Sequence, residues 1–206
     1  MNKAAIDNLI IRFGLVSDQV EPRELSVVLN ELTRTLALIE GAVVEFGCYR
    51  GTTSLYIRRV LDALSPQRAF HVYDSFEGLP VKASQDSSPV GEQFVAGELS
   101  VSKKDFMSEF KKARLQVPVI HKRWFNDLSD ADVPTPIAFA FLDGDYYDSI
   151  RQSLSLIESK LAPGATIVVD DYANEALPGA ARAVEEWVRP RGLTVQTVAS
   201  LAVIHT

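Results

Sequence analysis

Several features are scarce in this chain of 206 residues, and each shortage excludes a class of protein. Cys48 is the only cysteine, so no disulfide can form within the chain and its cysteine usage does not indicate secretion. No apolar stretch approaches the roughly 18 residues of a membrane helix, and the apolar run near the amino end is too short for a signal peptide. We therefore expect a soluble, cytoplasmic protein without a membrane partner.

Positive charge and phosphate-binding motifs are also in short supply. The formal net charge is -6 at pH 7, whereas nucleic-acid-binding proteins usually carry a basic face, so we expect no nucleic-acid partner. Gly47 and Gly51 are separated by three residues, which fits neither G-x-G-x-x-G nor G-x-x-x-x-G-K-[ST]. A dinucleotide or a nucleoside triphosphate is therefore not the first choice of ligand.

Apolar periodicity predicts alternating helices and strands in one domain that spans residues 1–206. The predicted helices cover residues 3–13, 22–40, 52–64, 103–115, 149–161 and 179–189. The predicted strands cover residues 42–46, 69–73, 117–121, 136–141 and 165–169, with a turn at 162–164 and a final pair of strands within 193–206. This order predicts an α/β fold, a doubly wound, seven-stranded, mostly parallel sheet with one antiparallel strand, preceded by amino-terminal helices in residues 1–40.

Residues 76–101 interrupt this pattern. Periodicity is lost there, and Gly, Pro, Ser, Asp and Gln accumulate. A loop of this length inside a compact domain is usually functional or disordered. We predict that it forms a mobile flap over the active site.

Acidic residues follow two of the predicted buried strands. Asp143 and Asp145 come after the strand at 136–141, and Asp170 and Asp171 come after the strand at 165–169. Ligands of open α/β sheets bind at the carboxyl ends of the strands, so these carboxylates converge if the two strands are neighbours. Such crowding raises carboxyl pKa values, and a hard divalent cation relieves the repulsion. The alternative is that these residues are helix caps and turn residues, because Asp is favoured at both.

A strand, a glycine turn and a helix follow one another in residues 42–64. Glu45 near the strand end suits a cationic ligand, and Asp74 at the end of the next strand is placed to take both hydroxyls of a ribose, although it also suits a turn. These features describe a pocket for a ribose-bearing, positively charged cofactor, which S-adenosylmethionine fits. Trp124 and Phe125 are candidates either to cover an adenine ring or to anchor the core.

Five motifs carry a family resemblance: VVEFGCYRGTTSLYI, FHVYDSFEGLP, FLDGDYYDSI, LAPGATIVVDDYA and ARAVEEW. In this order they resemble the macrocin O-methyltransferase family, which are metal-dependent sugar O-methyltransferases of natural-product pathways. The resemblance covers roughly residues 41–188 and implies a class I, Rossmann-like methyltransferase fold. It further implies S-adenosylmethionine as methyl donor, Mg²⁺ in the site and a small-molecule hydroxyl as acceptor.

The resemblance also implies roles for individual residues. Asp143, Asp170 and Asp171 match the metal-binding acids, and Asp145 matches the general base. Glu45, Gly47 and Asp74 match the cofactor-binding positions. Beyond what the resemblance implies, the expected cofactor-binding set also includes Cys48, Gly51, Thr52, Ser75, Trp124 and Phe125. Within this set, Cys48 is interpreted as a space-filling residue whose backbone N–H faces the cofactor.

Competing hypotheses remain open at this point. A catechol-type O-methyltransferase would share the cofactor and the metal, although the acid pair Asp170 and Asp171 favours the sugar type. An Asp-x-Asp motif at Asp143 and Asp145 suits a nucleotide-sugar glycosyltransferase that holds Mn²⁺ on a diphosphate. A third hypothesis is a binding module that keeps the fold without turnover. His121 is expected to border the cofactor pocket, whereas His71 and His205 are expected to be structural. The apolar face of the amino-terminal helices is compatible with a homodimer.

Overall fold

Helices and strands alternate in the predicted order. The structure, a computed structural model, describes residues 1–91 and 93–206. The helices are α1 Lys3–Phe13, α2 Pro22–Leu38, α3 Thr52–Leu64, α4 Lys103–Ala113, α5 Tyr147–Glu158 and α6 Pro178–Val188. The strands are β1 Ala42–Phe46, β2 Phe70–Asp74, β3 Val119–Lys122, β4 Ile137–Leu142, β5 Leu161–Val169, β6 Gln196–Val198 and β7 Leu201–His205. Within the described residues, no helix combines the length and the apolar character needed to cross a membrane.

The strands form one seven-stranded sheet in the order β3-β2-β1-β4-β5-β7-β6. β7 runs antiparallel to both of its neighbours, and the pairings among β1 to β5 are parallel. The predicted doubly wound sheet with one antiparallel strand is therefore confirmed. Chain connections diverge to opposite sides of the β1–β4 pair, which makes the carboxyl ends of these two strands the expected ligand crevice.

Two apolar cores cover the two faces of the sheet, and β4 shows how one strand serves both. Phe139 and Phe141 pack into the core formed with α1 to α4, whereas Ala140 and Leu142 pack into the core formed with α5 and α6. Successive side chains of a strand point to opposite faces, so a strand buried on both sides reads as a continuous apolar run. This explains why the run at 136–141 predicted a central strand.

The amino end of β5 differs from the sequence-based expectation. Residues 162–164 lie in the strand and do not form the predicted turn. Leu161 pairs with Ile137, and the N–H of Gly164 donates to the carbonyl of Thr206 at 2.9 Å. The next pair in the register is Phe139 with Thr166, so the extra residues form a bulge within β5, in which Gly164 has a φ of +80°. The turn predicted from Pro163 and Gly164 before the strand was therefore wrong, because partners distant in sequence keep these residues in the sheet.

The predicted flap has more structure than a free loop. We call residues 76–91 and 93–101 the cover; residue 92, which belongs to the predicted flap, lies outside the described residues. The base of the cover is closed by backbone hydrogen bonds from Leu79 N–H to the Glu98 carbonyl at 2.8 Å and from Gly97 N–H to the Leu79 carbonyl at 2.9 Å. A short 3-10 turn, Ser84–Asp86, lies between these ends. The predicted mobility of this segment stays a prediction.

Candidate active site

Backbone hydrogen bonds align four strand ends at one edge of the sheet. Beyond the strands themselves, Gly47 N–H donates to the Tyr73 carbonyl at 2.9 Å, and Asp143 N–H donates to the Phe46 carbonyl at 2.8 Å. Asp170 N–H continues the same ladder, donating to the Leu142 carbonyl at 2.8 Å. The turns that follow β2, β1, β4 and β5 therefore begin side by side, which places their acidic residues together.

These turns open into one cavity of about 820 Å³. It is lined by most of the residues that were predicted to bind cofactor or metal or to act as base: Glu45, Gly47, Cys48, Thr52, Asp74, Ser75, Trp124, Phe125, Asp143, Asp145, Asp170 and Asp171. Gly51 is an exception, because it does not line the cavity. It caps α3 at φ +86°, and a Cβ there would come within 2.8 Å of the Phe106 ring. Its lack of a side chain serves packing, and its predicted role in cofactor binding stays a prediction.

Two further groups of lining residues were not named individually from the sequence, although the second belongs to the predicted flap. Ser17, Gln19, Val20 and Glu24, at and just before the start of α2, form one wall. The cover supplies another wall through Leu79, Pro80, Val81, Phe94 and Leu99. The first group does not follow a strand, so nothing in the sequence indicated that it belongs to the site. For the second group, the length of the predicted flap was the indication that the sequence offered.

Gly47 lets the turn after β1 touch the turn after β4. Its φ is +83°, a conformation that favours glycine, and an added Cβ would stand 1.7 Å from the Asp143 carbonyl oxygen. The glycine therefore allows the predicted cofactor turn and the predicted metal turn to share one site.

Glu45 is an acid in the core of the sheet, with 1 % of its surface exposed. The hydroxyl of Ser54 in α3 donates to its Oε2 at 2.5 Å. Burial raises the pKa of Glu45 to about 8, against the opposing effect of the Ser54 hydrogen bond. A cation bound in the adjoining cavity would favour the ionised carboxylate. The preference of this position for a positively charged ligand stays a prediction.

Asp74 ties the turns after β1 and β2 together. Its Oδ2 accepts from the backbone N–H groups of Cys48 at 2.9 Å and Tyr49 at 3.2 Å, and its Oδ1 accepts from Phe76 N–H at 2.7 Å. The N–H of Cys48 is therefore directed to Asp74, which corrects the expectation that it faces the cofactor. The thiol is buried, and burial raises its pKa, which is consistent with an unreactive residue.

The four acids after β4 and β5 form a strongly negative group. Withdrawal from water, followed by repulsion from neighbouring carboxylates, raises the pKa values of Asp143, Asp145 and Asp170 well above their usual range. Burial raises the pKa of Asp171 to about 6, against the hydrogen bond that Asn174 donates to it at 2.9 Å. Asp145 and Asp171 also adopt positive φ values of +58° and +57°, a strained backbone that often marks functional sites.

The chemistry of this donor set fits a divalent cation, because hard oxygen ligands and uncompensated negative charge are what such ions bind. Among the residues that the structure describes, however, no three Asp, Glu, His or Cys side chains converge closely enough to surround one ion. The donors of the predicted metal site therefore share one cavity without forming a ready-made coordination sphere.

Aromatic rings form the side of the cavity next to β2 and β3. Phe125 packs edge-on against Phe46 with centroids 5.3 Å apart, so it both lines the cavity and contacts the core. His121 does not line the cavity. It stacks on Tyr73 at 4.4 Å, and its Nε2 lies 3.1 Å from His71 Nδ1. The prediction that His121 borders the cofactor pocket was therefore wrong, because Tyr73 and His71 hold the ring in a separate stack.

Comparison with known proteins addresses the family directly. The family model described as macrocin-O-methyltransferase (TylF) matches residues 23–204. The chain belongs to the macrocin O-methyltransferase family. Membership favours the methyltransferase hypothesis over the glycosyltransferase hypothesis.

Two curated members of the macrocin O-methyltransferase family illustrate the relation. The chain is 33% identical over 146 residues to 8-demethyl-8-(2,3-dimethoxy-alpha-L-rhamnosyl)-tetracenomycin-C 4'-O-methyltransferase of Streptomyces olivaceus, covering 67% of this chain and 55% of that protein. It is 28% identical over 170 residues to mycinamicin III 3''-O-methyltransferase of Micromonospora griseorubida, covering 78% of this chain and 65% of that protein. The chain therefore spans less than two thirds of the length of these relatives.

The O-methyltransferase NovP provides a structural comparison. Its structure superposes with a TM-score of 0.77 at 20% sequence identity, covering 99% of both chains. At this identity the likeness establishes the fold, which is the class I methyltransferase fold.

Proposed function

We propose that this chain methylates a hydroxyl of a small molecule, a sugar or a glycosylated natural product, with S-adenosylmethionine as donor and Mg²⁺ in the site. One observation carries the proposal: Glu45, Asp74 and the four strand-end acids open into a single cavity on a chain of the macrocin O-methyltransferase family. The relatives support the acceptor class, because their names specify methylation of a rhamnosyl-tetracenomycin and of mycinamicin III.

The cofactor would lie over the turns after β1 and β2. Asp74 would accept hydrogen bonds from the ribose hydroxyls through lone pairs that its backbone partners leave available, because each carboxylate oxygen has two. Gly47 allows close backbone approach, and Glu45 supplies negative charge toward the cationic part of the ligand. Trp124 and Phe125 would border the base. When bound, S-adenosylmethionine supplies an electrophilic methyl group.

Asp143, Asp170 and Asp171 would hold the cation. A divalent ion there supplies electrostatic stabilisation as negative charge develops on the acceptor oxygen. The same ion would lower the pKa values that burial and neighbouring carboxylates raise. Metal binding and ionisation of the acids are therefore expected to favour each other.

Asp145 would accept the proton of the acceptor hydroxyl at its carboxylate. Burial, followed by the charge of Asp171, raises the pKa of Asp145 well above its usual range, which makes its carboxylate a stronger base. The cover would exclude water from the site, because Leu79 and Leu99 form an apolar wall of the cavity.

A methyl-transfer assay tests the proposal. The purified chain is incubated with S-adenosylmethionine, Mg²⁺ and, in turn, TDP-rhamnose, mycinamicin III and an unmethylated rhamnosyl-tetracenomycin, and products are identified by mass spectrometry. We expect at least one glycoside to gain a methyl group on a sugar hydroxyl, and EDTA to suppress the reaction. Transfer that is unaffected by EDTA would contradict the metal requirement, and failure to bind S-adenosylmethionine would contradict the activity.

Asp145→Asn tests the assignment of the base. A positioned general base typically contributes about 100-fold or more, so kcat should fall by at least that factor. The dissociation constant of S-adenosylhomocysteine, measured by calorimetry, should change little because Asp145 lies on the turn after β4. Asp130→Asn is the matched control, since the Asp130 side chain is 81% exposed and lies away from the cavity. Unchanged turnover in Asp145→Asn would refute the assignment.

A further inference from the structure

One buried carboxylate of the cover is not explained by any role described so far. Asp86, at the end of the 3-10 turn, is 1% exposed and does not line the cavity. Its Oδ1 accepts from the backbone N–H of Tyr147 at 2.7 Å, and its Oδ2 accepts from the backbone N–H of Ala83 at 2.8 Å. Asp86 therefore connects the cover to a segment 61 residues further along the chain.

Tyr147, the partner of Asp86, lies close in sequence to the predicted base, Asp145. It is the first residue of α5, and it follows Asp145 by only two positions. Asp145 has a φ of +58°, and a non-glycine residue keeps such a conformation only when its surroundings impose it. The Asp86 hydrogen bond is one such constraint, since it fixes the peptide plane just beyond Asp145.

The start of α6 leaves space for this contact. A Cβ on Gly179 would lie 1.7 Å from Asp86 Oδ1 and 2.7 Å from the Tyr147 nitrogen. Gly179 also follows the turn that carries Asp170 and Asp171. The cover, the turn after β4 and the turn after β5 therefore meet at the Asp86 carboxylate.

Apolar contacts also attach the cover to the segments that follow β4 and β5. Leu79 of the cover forms a buried cluster with Tyr146 and Leu177, against which Phe94 and Leu99 pack. In addition, the Ser88 hydroxyl donates to the Glu175 carbonyl at 2.7 Å. The cover is thus attached to the segments after β4 and β5. Asp86 makes a buried polar contact from the cover to the start of α5.

We propose that Asp86 is a positioning residue: by fixing the first turn of α5, it holds Asp145 in the orientation needed to take the acceptor proton, and it couples that orientation to the seating of the cover. The catalytic part of this inference rests on the proposed function, whereas the geometric part does not.

Three variants and one control separate these parts. Asp86→Ala removes both acceptors, and Asp86→Asn keeps one oxygen for the Tyr147 N–H. Gly179→Ala keeps the carboxylate but displaces it, although alanine is otherwise the better helix former. Ser84→Ala is the control, because Ser84 lies on the same turn, is exposed, and donates its hydroxyl to the adjacent Gln85 side chain.

Hydrogen exchange in the absence of any substrate tests the geometry. In Asp86→Ala and Gly179→Ala, exchange at the Tyr147 amide should accelerate by about tenfold, the change expected for one lost hydrogen bond. Peptides from β4 should exchange as in the wild type, and Ser84→Ala should behave as the wild type throughout. Unchanged exchange at Tyr147 in the folded variants would overturn the proposal.

Kinetics on the acceptor found in the methyl-transfer assay test the catalytic part. We expect kcat to fall by about 10- to 100-fold in Asp86→Ala and in Gly179→Ala, the loss typical of a misplaced catalytic group. Affinity for S-adenosylhomocysteine should stay close to the wild-type value, and Asp86→Asn should recover most of the turnover.

If Asp86→Ala does not fold, the kinetics of Gly179→Ala test the proposal in its place. A kcat of Gly179→Ala equal to that of the wild type would overturn the proposal. If the wild-type protein methylates none of the acceptors, the proposed function is refuted instead. The hydrogen-exchange experiment would then still test the contact between Asp86 and Tyr147.

Discussion

At the scale of single residues, the site consists of carboxylates held where water and countercharge are scarce. Glu45 shows this most clearly, since it is buried beneath the cavity with Ser54 as its hydrogen-bond donor. An acid in this position destabilises the protein when it ionises without a nearby cation. Its presence in the core is therefore better explained by ligand binding than by stability.

The raised pKa of Glu45 predicts how stability depends on pH. The folded protein holds this proton up to a pKa of about 8, whereas the unfolded chain releases it near 4.5, so the contribution of Glu45 to stability is lost as pH rises between these values. Each unit of pKa difference corresponds to about 1.4 kcal/mol. Glu45→Gln cannot ionise and keeps an acceptor for Ser54, so it should gain stability relative to the wild type by a few kcal/mol between about pH 5 and pH 8.

Chemical denaturation without cofactor and with EDTA measures this difference. Asp143, Asp145 and Asp170 shift in the same direction and are present in both proteins, so the comparison of Glu45→Gln with the wild type reports Glu45 together with its repulsion of Asp143. Glu175→Gln, at an exposed position, is the matched control and should follow the wild type at every pH. A constant stability difference between Glu45→Gln and the wild type across this range would contradict the account.

At the scale of elements, turns after parallel strands create the site, and their contact depends on glycine. Periodicity predicted α3 with its observed bounds, because its apolar positions repeat on one face. The start of β5 was mispredicted, since Ile137 and Thr206, the partners that hold its bulge in the sheet, are remote in sequence. The Asp86–Tyr147 contact could not be predicted for the same reason.

Gly47→Ala tests the contact between the turns after β1 and β4. Alanine at a φ of +83° costs about 1–3 kcal/mol of strain, and the displaced Asp143 carbonyl adds to this cost. We expect a lower free energy of unfolding together with loss of S-adenosylhomocysteine binding. Gly192→Ala is the matched control, because it shares the positive φ of +63° but has open space around its Cβ. Equal effects of the two substitutions, with cofactor binding intact, would show that the contact does not matter.

At the scale of the whole molecule, the cavity is assembled from segments that span most of the chain. The amino-terminal segment, the strand ends and the cover each provide a wall. The strand-end walls were predictable, because parallel strands place their carboxyl ends at one edge of a sheet. The positions of Gln19 and Glu24 were not, since their place in the site depends on how α2 packs against the sheet.

The most direct test of the whole account is anomalous diffraction from crystals grown with S-adenosylhomocysteine and Mn²⁺, which stands in for Mg²⁺. We predict one anomalous peak bound by Asp143, Asp170 and Asp171, and an adenosyl ribose on Asp74 in the same cavity. A nucleoside bound outside this cavity, or a cavity that holds the nucleoside but no Mn²⁺ at these acids, would contradict it.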